Sequence, residues 1–400
     1  MQTTRTWDIF CKVIDNFGDI GVCWRLSCDL AERGQQVRLW VDDACALAWM
    51  APGGAPGVQV RAWSADSPDI GVDTPGDVVI EAFGCEVSAA WIAHYSIAAN
   101  DQTTRTTPGF GTQNAASPAS PPALAPSQPV WINLEYLSAQ PYAASSHGLP
   151  SPVMVGPARG MRKWFFYPGF TPGTGGLLRS AALDHRLCAP TPRPVQSAES
   201  GATPQKISLF CYEPPALGQL LEQLTQAQQP THLQVTAGRA RQAVQLAMNN
   251  QTGQESLSYG RKQLSISYLP PMSQDLYDDL LWHSDLNFVR GEDSLVRALW
   301  AGQPFIWQIY PQSDGAHAAK LDAFLDWLQA PPDLRLFHHV WNGLSQATLP
   351  ALDLPAWQAS VLAARRRLLA QSDLVTQLIE FVQNQLKSQV LRRSPALQTP

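Results

Sequence analysis

The sequence predicts an α/β protein made of two parallel-sheet halves that face each other across a cleft. Short apolar runs alternate with helical repeats near the start of the chain, and the same alternation returns after residue 206. Apolar residues make up 45% of the 400 residues, which is enough to form two cores of ordinary size. Such alternation is typical of a parallel sheet that carries helices on both faces.

The first half begins with a β-α-β unit. Ile9 to Ile14 is a short apolar run suited to a buried strand. Apolar residues four positions apart then predict a helix over 22–33, which Gly34 ends. The later strands of this half are predicted at 37–41, 78–80 and 130–134.

The second half repeats this pattern with five strands. The strands are predicted at 207–211, 233–236, 264–269, 286–289 and 305–310, and the helices at 215–226, 274–283 and 292–301. Gly302 and Pro304 end the last of these helices. A final helix is predicted over 357–386, with the run Arg365 to Arg367 on its solvated face.

Two proline-rich stretches suggest the domain organisation. Residues 102–129 are predicted to be a disordered insertion because they have little apolar surface to bury. Residues 189–206 are predicted to be a flexible linker. We therefore expect one domain over 1–188, a second over 207–365, and a C-terminal segment, 366–400, that packs back on the first domain.

Composition excludes several classes of function. The formal net charge of -5 offers no basic field for nucleic acid or an anionic membrane, and no apolar run of roughly 18 residues would span a bilayer. The seven cysteines are scattered without a C-x-x-C pair, and the first ten residues lack the apolar centre of a signal peptide. The eight histidines form no metal-binding pattern. We expect a cytoplasmic protein with no metal site.

The first candidate for chemistry is the loop Asp15 to Gly21, between the first strand and its helix. Ligands of open α/β sheets bind at this position, and Gly18 with Gly21 lets the backbone approach a ligand closely. Asp15 and Asp19 place two carboxylates there, one as a general base and the other to orient the substrate. The alternative is that Asp19 only caps the helix.

The second candidate is Arg290-Gly291-Glu292-Asp293-Ser294, which leads from a strand into a helix. Free N–H groups at a helix start favour a phosphate, and the Ser294 hydroxyl adds a donor. Two acids beside a diphosphate must face sugar hydroxyls or be offset by a cation. The alternative is an acidic first turn that only stabilises its helix.

The third candidate is a set of aromatic residues at strand ends. Phe210 and Tyr212 end the first strand of the second half, and Tyr277 and Tyr310 flank the Glu292 loop in sequence. Such rings can hold a nucleobase, and the amide of Gln274 suits a pyrimidine edge. The alternative role for each ring is core or surface packing.

Long motifs in both halves resemble the protein-arginine rhamnosyltransferases that modify elongation factor P. The motifs are VIDNFGDIGVCWRL at 13–26, LFCYEPP at 209–215, SQDLYDDLLW at 273–282 and NFVRGEDSLVRALWAGQPFIWQIYPQ at 287–312. The resemblance implies a GT-B fold of two Rossmann-like domains, with the acceptor on the N-terminal side. It also implies inverting transfer of L-rhamnose from dTDP-β-L-rhamnose to an arginine of elongation factor P, without a cofactor or metal.

The same resemblance assigns residues by motif. It implies that Asp19 is the catalytic aspartate, Asp15 its companion and Glu292 the third functional acid. The implied substrate-binding residues are Asn16, Phe17, Gly18, Phe210, Tyr212, Gln274, Asp275, Leu276, Tyr277, Asp293, Ser294, Leu295, Val296 and Tyr310.

Two alternative functions stay open at this point. One is a GT-B enzyme with another nucleotide sugar or acceptor, and the other is a nucleotide-sugar-binding protein without turnover. A dinucleotide oxidoreductase is disfavoured because the G-x-G-x-x-G fingerprint is absent.

Overall fold

A computed structural model describes residues 3–15, 17–64, 76–88, 91–93, 128–188, 204–251, 263–312 and 315–393. The predicted insertion lies outside these residues from 102 to 127, and the predicted linker from 189 to 203.

The first half contains a seven-stranded sheet. Its strands are β1 (Thr6–Cys11), β2 (Gln36–Val41), β3 (Val58–Ala62), β4 (Val78–Ala82), β5 (Val130–Leu134), β6 (Pro150–Pro152) and β7 (Arg162–Phe166). Its helices are α1 (Gly18–Glu32), α2 (Leu47–Met50), α3 (Pro141–Ser146) and α4 (Ala181–Leu187). The strand order is β3-β2-β1-β4-β5-β7-β6, and only β6 runs antiparallel to its neighbour.

The second half contains a five-stranded parallel sheet. Its strands are β8 (Gln205–Leu209), β9 (Thr231–Val235), β10 (Leu264–Tyr268), β11 (Leu286–Arg290) and β12 (Phe305–Gln308). The helices that follow β8 are α5 (Leu217–Gln226), α6 (Arg239–Gln251), α7 (Gln274–His283), α8 (Asp293–Ala301), α9 (Ala316–Leu328), α10 (Pro332–Trp341), α11 (Leu354–Leu369) and α12 (Leu374–Arg393). The strand order is β10-β9-β8-β11-β12.

Strand order determines where the two halves present their loops. Apart from β6, all these strands are parallel, but the side on which successive strands are added to the sheet switches between β1 and β4 in the first half and between β8 and β11 in the second. Ligands of such sheets bind at the carboxyl ends of the strands beside this switch. Helices α1 and α8 begin there and pack against each other across the two halves. This is the predicted fold class, two Rossmann-like halves in the GT-B arrangement, and the structure confirms it.

The first strand and helix both begin earlier than predicted. Strand β1 starts at Thr6 because the buried Asp8 is paired with Arg38 and therefore does not end the strand. Helix α1 starts at Gly18 instead of Val22, so both loop glycines lie in its first turn.

The predicted single C-terminal helix is wrong, because two helices, α11 and α12, take its place. Asp373 separates them, accepting the N–H of Thr376 at 2.9 Å and pairing with Arg33 of the first half at 2.8 Å. The apolar face of α12 then packs into the core of the first half, against helix α1 and strand β5. Among the described residues, no helix is both long and apolar enough to cross a membrane.

The predicted solvated face at Arg365 is also wrong. Its side chain is buried, and Nη1 donates to the carbonyl oxygen of Trp300 at 3.0 Å, at the end of helix α8. A side chain of α11 thus supplies a donor to a carbonyl group at the C-terminal end of α8, where the helix itself has no N–H to offer. Gly302, with φ of 73°, lets the chain turn away at this point.

We expect Gly302→Ala to lower the free energy of unfolding by roughly 1–3 kcal/mol, since alanine is strained at positive φ. Its Cβ would also lie 2.6 Å from Nη1 of Arg365, which would have to leave its carbonyl partner. Chemical denaturation measures the change. Gly53→Ala is the control, because a Cβ at Gly53 meets nothing within 4 Å. Equal stability of the two variants would contradict this account of the α8 end.

Candidate functional site

Two of the cavities between the halves share Asp15 and Gly18 in their lining. The first has a volume of about 270 Å³ and extends toward the ends of β8 and β9. The second, of about 420 Å³, extends toward Tyr136, Glu292 and Lys320. The Asp15 loop therefore separates two places where ligands would fit, which we call the first and second cavities.

The first cavity has flat apolar walls. Phe210 and Tyr277 meet edge to face with their ring centroids 5.5 Å apart, and Pro270 and Pro271 line the same space. Phe17 lines it as well and packs edge-on against Trp49. Rings and prolines in this arrangement suit a planar base.

Arg290 brings a buried cation to the first cavity. Its guanidinium carbon lies 4.5 Å from the ring centroid of Phe210 and 4.4 Å from that of Tyr212. The residue is buried, and Nη1 has no hydrogen-bond partner among the described residues. Burial lowers the pKa of Arg290, which still stays charged at neutral pH. A buried guanidinium nitrogen without a partner indicates a binding site for an anion.

The first turn of α8 uses several of its polar groups internally. The Ser294 hydroxyl accepts the N–H of Arg290 at 3.0 Å and donates to the carbonyl oxygen of the same residue. The N–H of Val296 bonds the carbonyl of Glu292 at 3.1 Å, and the Leu295 side chain lies in the core. The contacts with a diphosphate that the sequence predicts for Ser294 and Val296 would therefore compete with these internal bonds.

Asp19 is held by backbone groups rather than capping the helix. Its Oδ2 accepts the N–H of Ile14 and that of Asp15, both at 2.8 Å. Phe17 is the N-cap of α1, so the alternative that Asp19 serves as the cap is wrong. Oδ1 has no hydrogen-bond partner among the described residues, and Asp19 lines the second cavity. One carboxylate oxygen therefore anchors the side chain and the other stays available.

Asp15 joins the two halves. Its Oδ2 accepts the hydroxyl of Tyr212 at 2.6 Å, and Oδ1 is buried without a partner among the described residues. A Cβ at Gly18 or Gly291 would lie 2.9 or 2.8 Å from Oδ2, and Gly291 has φ of 65°. Both glycines are therefore needed for the carboxylate to fit between the halves.

Glu292 contacts the first half and a lysine. Its Oε2 accepts the N–H of Leu137 at 2.8 Å, and its Oε1 accepts from Nζ of Lys320 at 2.7 Å. Nζ of Lys320 also lies 5.6 Å from the ring centroid of Tyr136. Glu292 is therefore fixed at the edge of the second cavity, near Asp19.

Gln274 and Asp293 also make bonds across the halves. Nε2 of Gln274 donates to the carbonyl of Gly21 at 3.1 Å, and Asp293 pairs with Arg25 at 3.0 Å. Both side chains line the first cavity, but each already has a partner in the first half.

Comparison with known proteins identifies the family. The family described as "Elongation-Factor P (EF-P) rhamnosyltransferase EarP" matches residues 7–383. The chain belongs to this EarP family. Two relatives named protein-arginine rhamnosyltransferase are each 40% identical: one from Pseudomonas putida over 95% of this chain and 99% of its own, and one from Pseudomonas aeruginosa over 94% and 98%.

A solved structure agrees with this membership. It is described as the structural basis for EarP-mediated arginine glycosylation of translation elongation factor EF-P. Its TM-score is 0.56 at 29% identity, covering 95% of this chain and 99% of that chain. The family resemblance predicted from the motifs is therefore confirmed.

The structure of this EarP-family chain gathers most of the predicted residues. Tyr212 and Tyr310 meet edge to face at 5.7 Å, with Tyr310 lining the second cavity. Leu276 is 59% exposed and Asp275 is exposed as well; neither lines the first or second cavity. Asn16 lies outside the described residues.

Sequence reasoning gave no role to four residues that the structure places at the cavities: Arg25, Tyr136, Arg290 and Lys320. Arg290 stands inside a quoted motif, and its position directly before the glycine of a strand-to-helix turn was a usable signal. The other three depend on contacts between distant segments. Among the described residues, no group of three His, Cys, Asp or Glu side chains is arranged to hold a metal ion.

Proposed function

We propose that this chain transfers L-rhamnose from dTDP-β-L-rhamnose, with inversion, to an arginine side chain of elongation factor P, which supports translation through proline runs. Family membership supports the activity. The observation that carries the proposal is that Arg290, a buried cation whose Nη1 has no partner among the described residues, lines one cavity, while Asp19 and Glu292 line a second cavity that meets the first at Asp15 and Gly18.

The first cavity suits the donor. The Phe210 and Tyr277 rings are fitted to a thymine base, and Arg290 is fitted to the diphosphate. In this assignment, the free Nη1 of Arg290 gains an anionic partner when donor binds. The sugar then extends toward Gly18 and Asp15, where the two cavities meet.

The second cavity suits the acceptor guanidinium. Asp15, Asp19 and Glu292 border it and supply carboxylate oxygens, which match the forked donors of arginine. Tyr136 and Tyr310 add aromatic faces over which a guanidinium stacks.

The chemistry needs a base because a protonated guanidinium is a poor nucleophile. A carboxylate on one N–H concentrates electron density on that nitrogen. As the nitrogen bonds to the anomeric carbon, the bond from that carbon to the diphosphate oxygen breaks, and the electron pair leaves with the diphosphate. The nitrogen becomes acidic in this step, and Oδ1 of Asp19 takes its proton.

The departing diphosphate needs charge stabilisation. Arg290 and the positive end of α8 supply it without moving during the reaction. Because donor and acceptor cavities lie on opposite sides of Asp15, attack opposite the leaving group is favoured, which gives inversion. Contact between the halves excludes water that would otherwise hydrolyse the donor.

Mass spectrometry of elongation factor P after incubation with the enzyme and dTDP-rhamnose tests the proposal. We expect one added deoxyhexose, and none on an acceptor whose target arginine is replaced by lysine. A panel of nucleotide sugars tests the donor. Donor binding without any product would overturn the proposal in favour of a binding protein, and preference for another sugar would overturn the donor assignment.

The pH dependence of kcat/KM should follow the protonation of the Asp19 carboxyl. Burial raises the pKa of its carboxyl, two backbone hydrogen bonds oppose this shift, and the charges of Asp15 and Glu292 add to it. A protonated base is inactive, so kcat/KM should fall with decreasing pH through a pKa above that of an exposed aspartate. Tyr136 and Lys320 also border this part of the cavity.

Glu292→Gln should move this acidic limb to lower pH, since it removes a negative charge near Asp19. Glu135→Gln is the control, because Glu135 is not among the main charges that act on the Asp19 carboxyl. The half-maximal pH of kcat/KM is the measurement, taken across about pH 4 to 8. A limb that stays in place in Glu292→Gln would contradict the assignment.

A further inference from the structure

The start of helix α8 presents an electrostatic problem. Glu292 and Asp293 place two carboxylates next to Arg290, where we have assigned the donor diphosphate. Unpaired, they would repel that anion at short range. The ammonium group of Lys320, in the same half, lies 2.7 Å from Glu292 and offsets its charge. Asp293 is paired instead with a residue of the other half.

The partner of Asp293 comes from the first half. Nε of Arg25, on helix α1, lies 3.0 Å from Oδ1 of Asp293. Nη1 and Nη2 of the same guanidinium donate to both carboxylate oxygens of Asp278, at 3.0 and 2.9 Å. The side chain of Arg25 is 12% exposed and lines the first cavity.

The two acids differ in what remains when Arg25 is removed. Asp278 keeps Arg297 of its own half, at 3.0 Å from Nε and 2.6 Å from Nη2. For Asp293, Arg25 is the one cation that we find within bonding distance among the described residues. Asp293 therefore has a directly paired cation only while the halves are together, whereas Arg297 of its own half acts on it at longer range.

We propose that Arg25 is a positioning residue that makes donor binding depend on closure of the two halves, by cancelling the charge of Asp293 beside the diphosphate. The inference rests on the proposed function. Separating the halves removes Arg25 and leaves a carboxylate facing the donor phosphates, so the donor is bound tightly only by the closed form. Because each of its three guanidinium nitrogens already bonds Asp278 or Asp293, Arg25 acts through Asp293 rather than by binding the donor directly.

A double-mutant cycle tests this inference, with affinities for dTDP and dTDP-rhamnose measured by isothermal titration calorimetry. We expect Arg25→Met to weaken binding by about 10- to 100-fold. Asp293→Asn is the single-variant reference, and the double variant should recover the loss and bind within about 3-fold of that reference. Rescue by the second substitution is the decisive result, because a purely structural role of Arg25 would not produce it.

Arg33→Met is the matched control. It removes the same charge further along the same segment, where the arginine pairs with Asp29 and Asp373 away from both cavities. Its donor affinity should equal that of wild type.

Two results would overturn the inference: wild-type affinity in Arg25→Met, or a double variant as weak as Arg25→Met. A wild type that binds dTDP and shows the coupling but transfers no rhamnose would overturn the proposed function alone. A wild type that does not bind dTDP at all would overturn both.

Discussion

Asp19→Asn should lower kcat for transfer by about 10²- to 10⁴-fold, the usual contribution of a general base. The amide oxygen of asparagine can accept the N–H groups of Ile14 and Asp15, as Oδ2 does in the native protein. Its NH2 group then replaces Oδ1 and cannot take a proton. Donor affinity should stay within about 2-fold of wild type, because the base acts on the acceptor nitrogen.

Rapid-quench measurement of transfer, with calorimetric donor binding alongside, separates the two effects. Asp42→Asn is the matched control, since Asp42 also accepts backbone N–H groups, those of Val13 and Asp43, but on the exposed surface. It should transfer at the wild-type rate. More than a tenth of wild-type kcat in Asp19→Asn would rule out Asp19 as the base, and lost donor binding would mean that it supports the loop.

The residues that follow the strands could be predicted because strand order brings them together. The loops after β1, β8 and β11 leave the carboxyl ends of strands at the two points where the strand order switches sides. Asp19, Tyr212 and Glu292 stand in or next to these loops; Asp19 and Glu292 line the second cavity, and the Tyr212 hydroxyl bonds Asp15 beside it. Alternation of apolar runs and helices is enough to indicate this geometry.

The pairing of charges could not be predicted in the same way. Arg25 and Asp293 are 268 positions apart, so no local pattern connects them. The sequence does pose the question, since two acids beside a diphosphate require cations. Arg25 and Lys320 are those cations, and they lie in helices whose relative placement only the folded chain specifies.

Side chains that turn back on their own backbone also escape prediction. Ser294 resembles a phosphate ligand by position, but its hydroxyl bonds the backbone of Arg290 one turn earlier. Short hydroxyl side chains compete in this way for nearby backbone groups. Arg365 shows the reverse case: a run of three arginines resembles a solvated face, yet one of them is buried at the end of α8.

Arg290→Met should lower kcat/KM by about 10²- to 10³-fold, the range seen when one preorganised donor to a developing anion is removed. Methionine can fill the space between the Phe210 and Tyr212 rings, so the fold should be retained. The loss should be larger in the chemical step than in donor binding, because negative charge on the diphosphate grows as its bond to the sugar breaks.

Arg239→Met provides the comparison that decides the matter. Arg239 also stacks on Tyr212, with its guanidinium carbon 4.7 Å from the ring centroid, but it pairs with Glu213 and is more exposed. If stacking on the Tyr212 ring were the important contribution, Arg290→Met and Arg239→Met would be impaired alike. If the unpartnered charge is important, Arg239→Met should stay within about 3-fold of wild type, and Arg290→Lys should recover part of the loss. Equal defects in the two methionine variants would remove Arg290 from the diphosphate site.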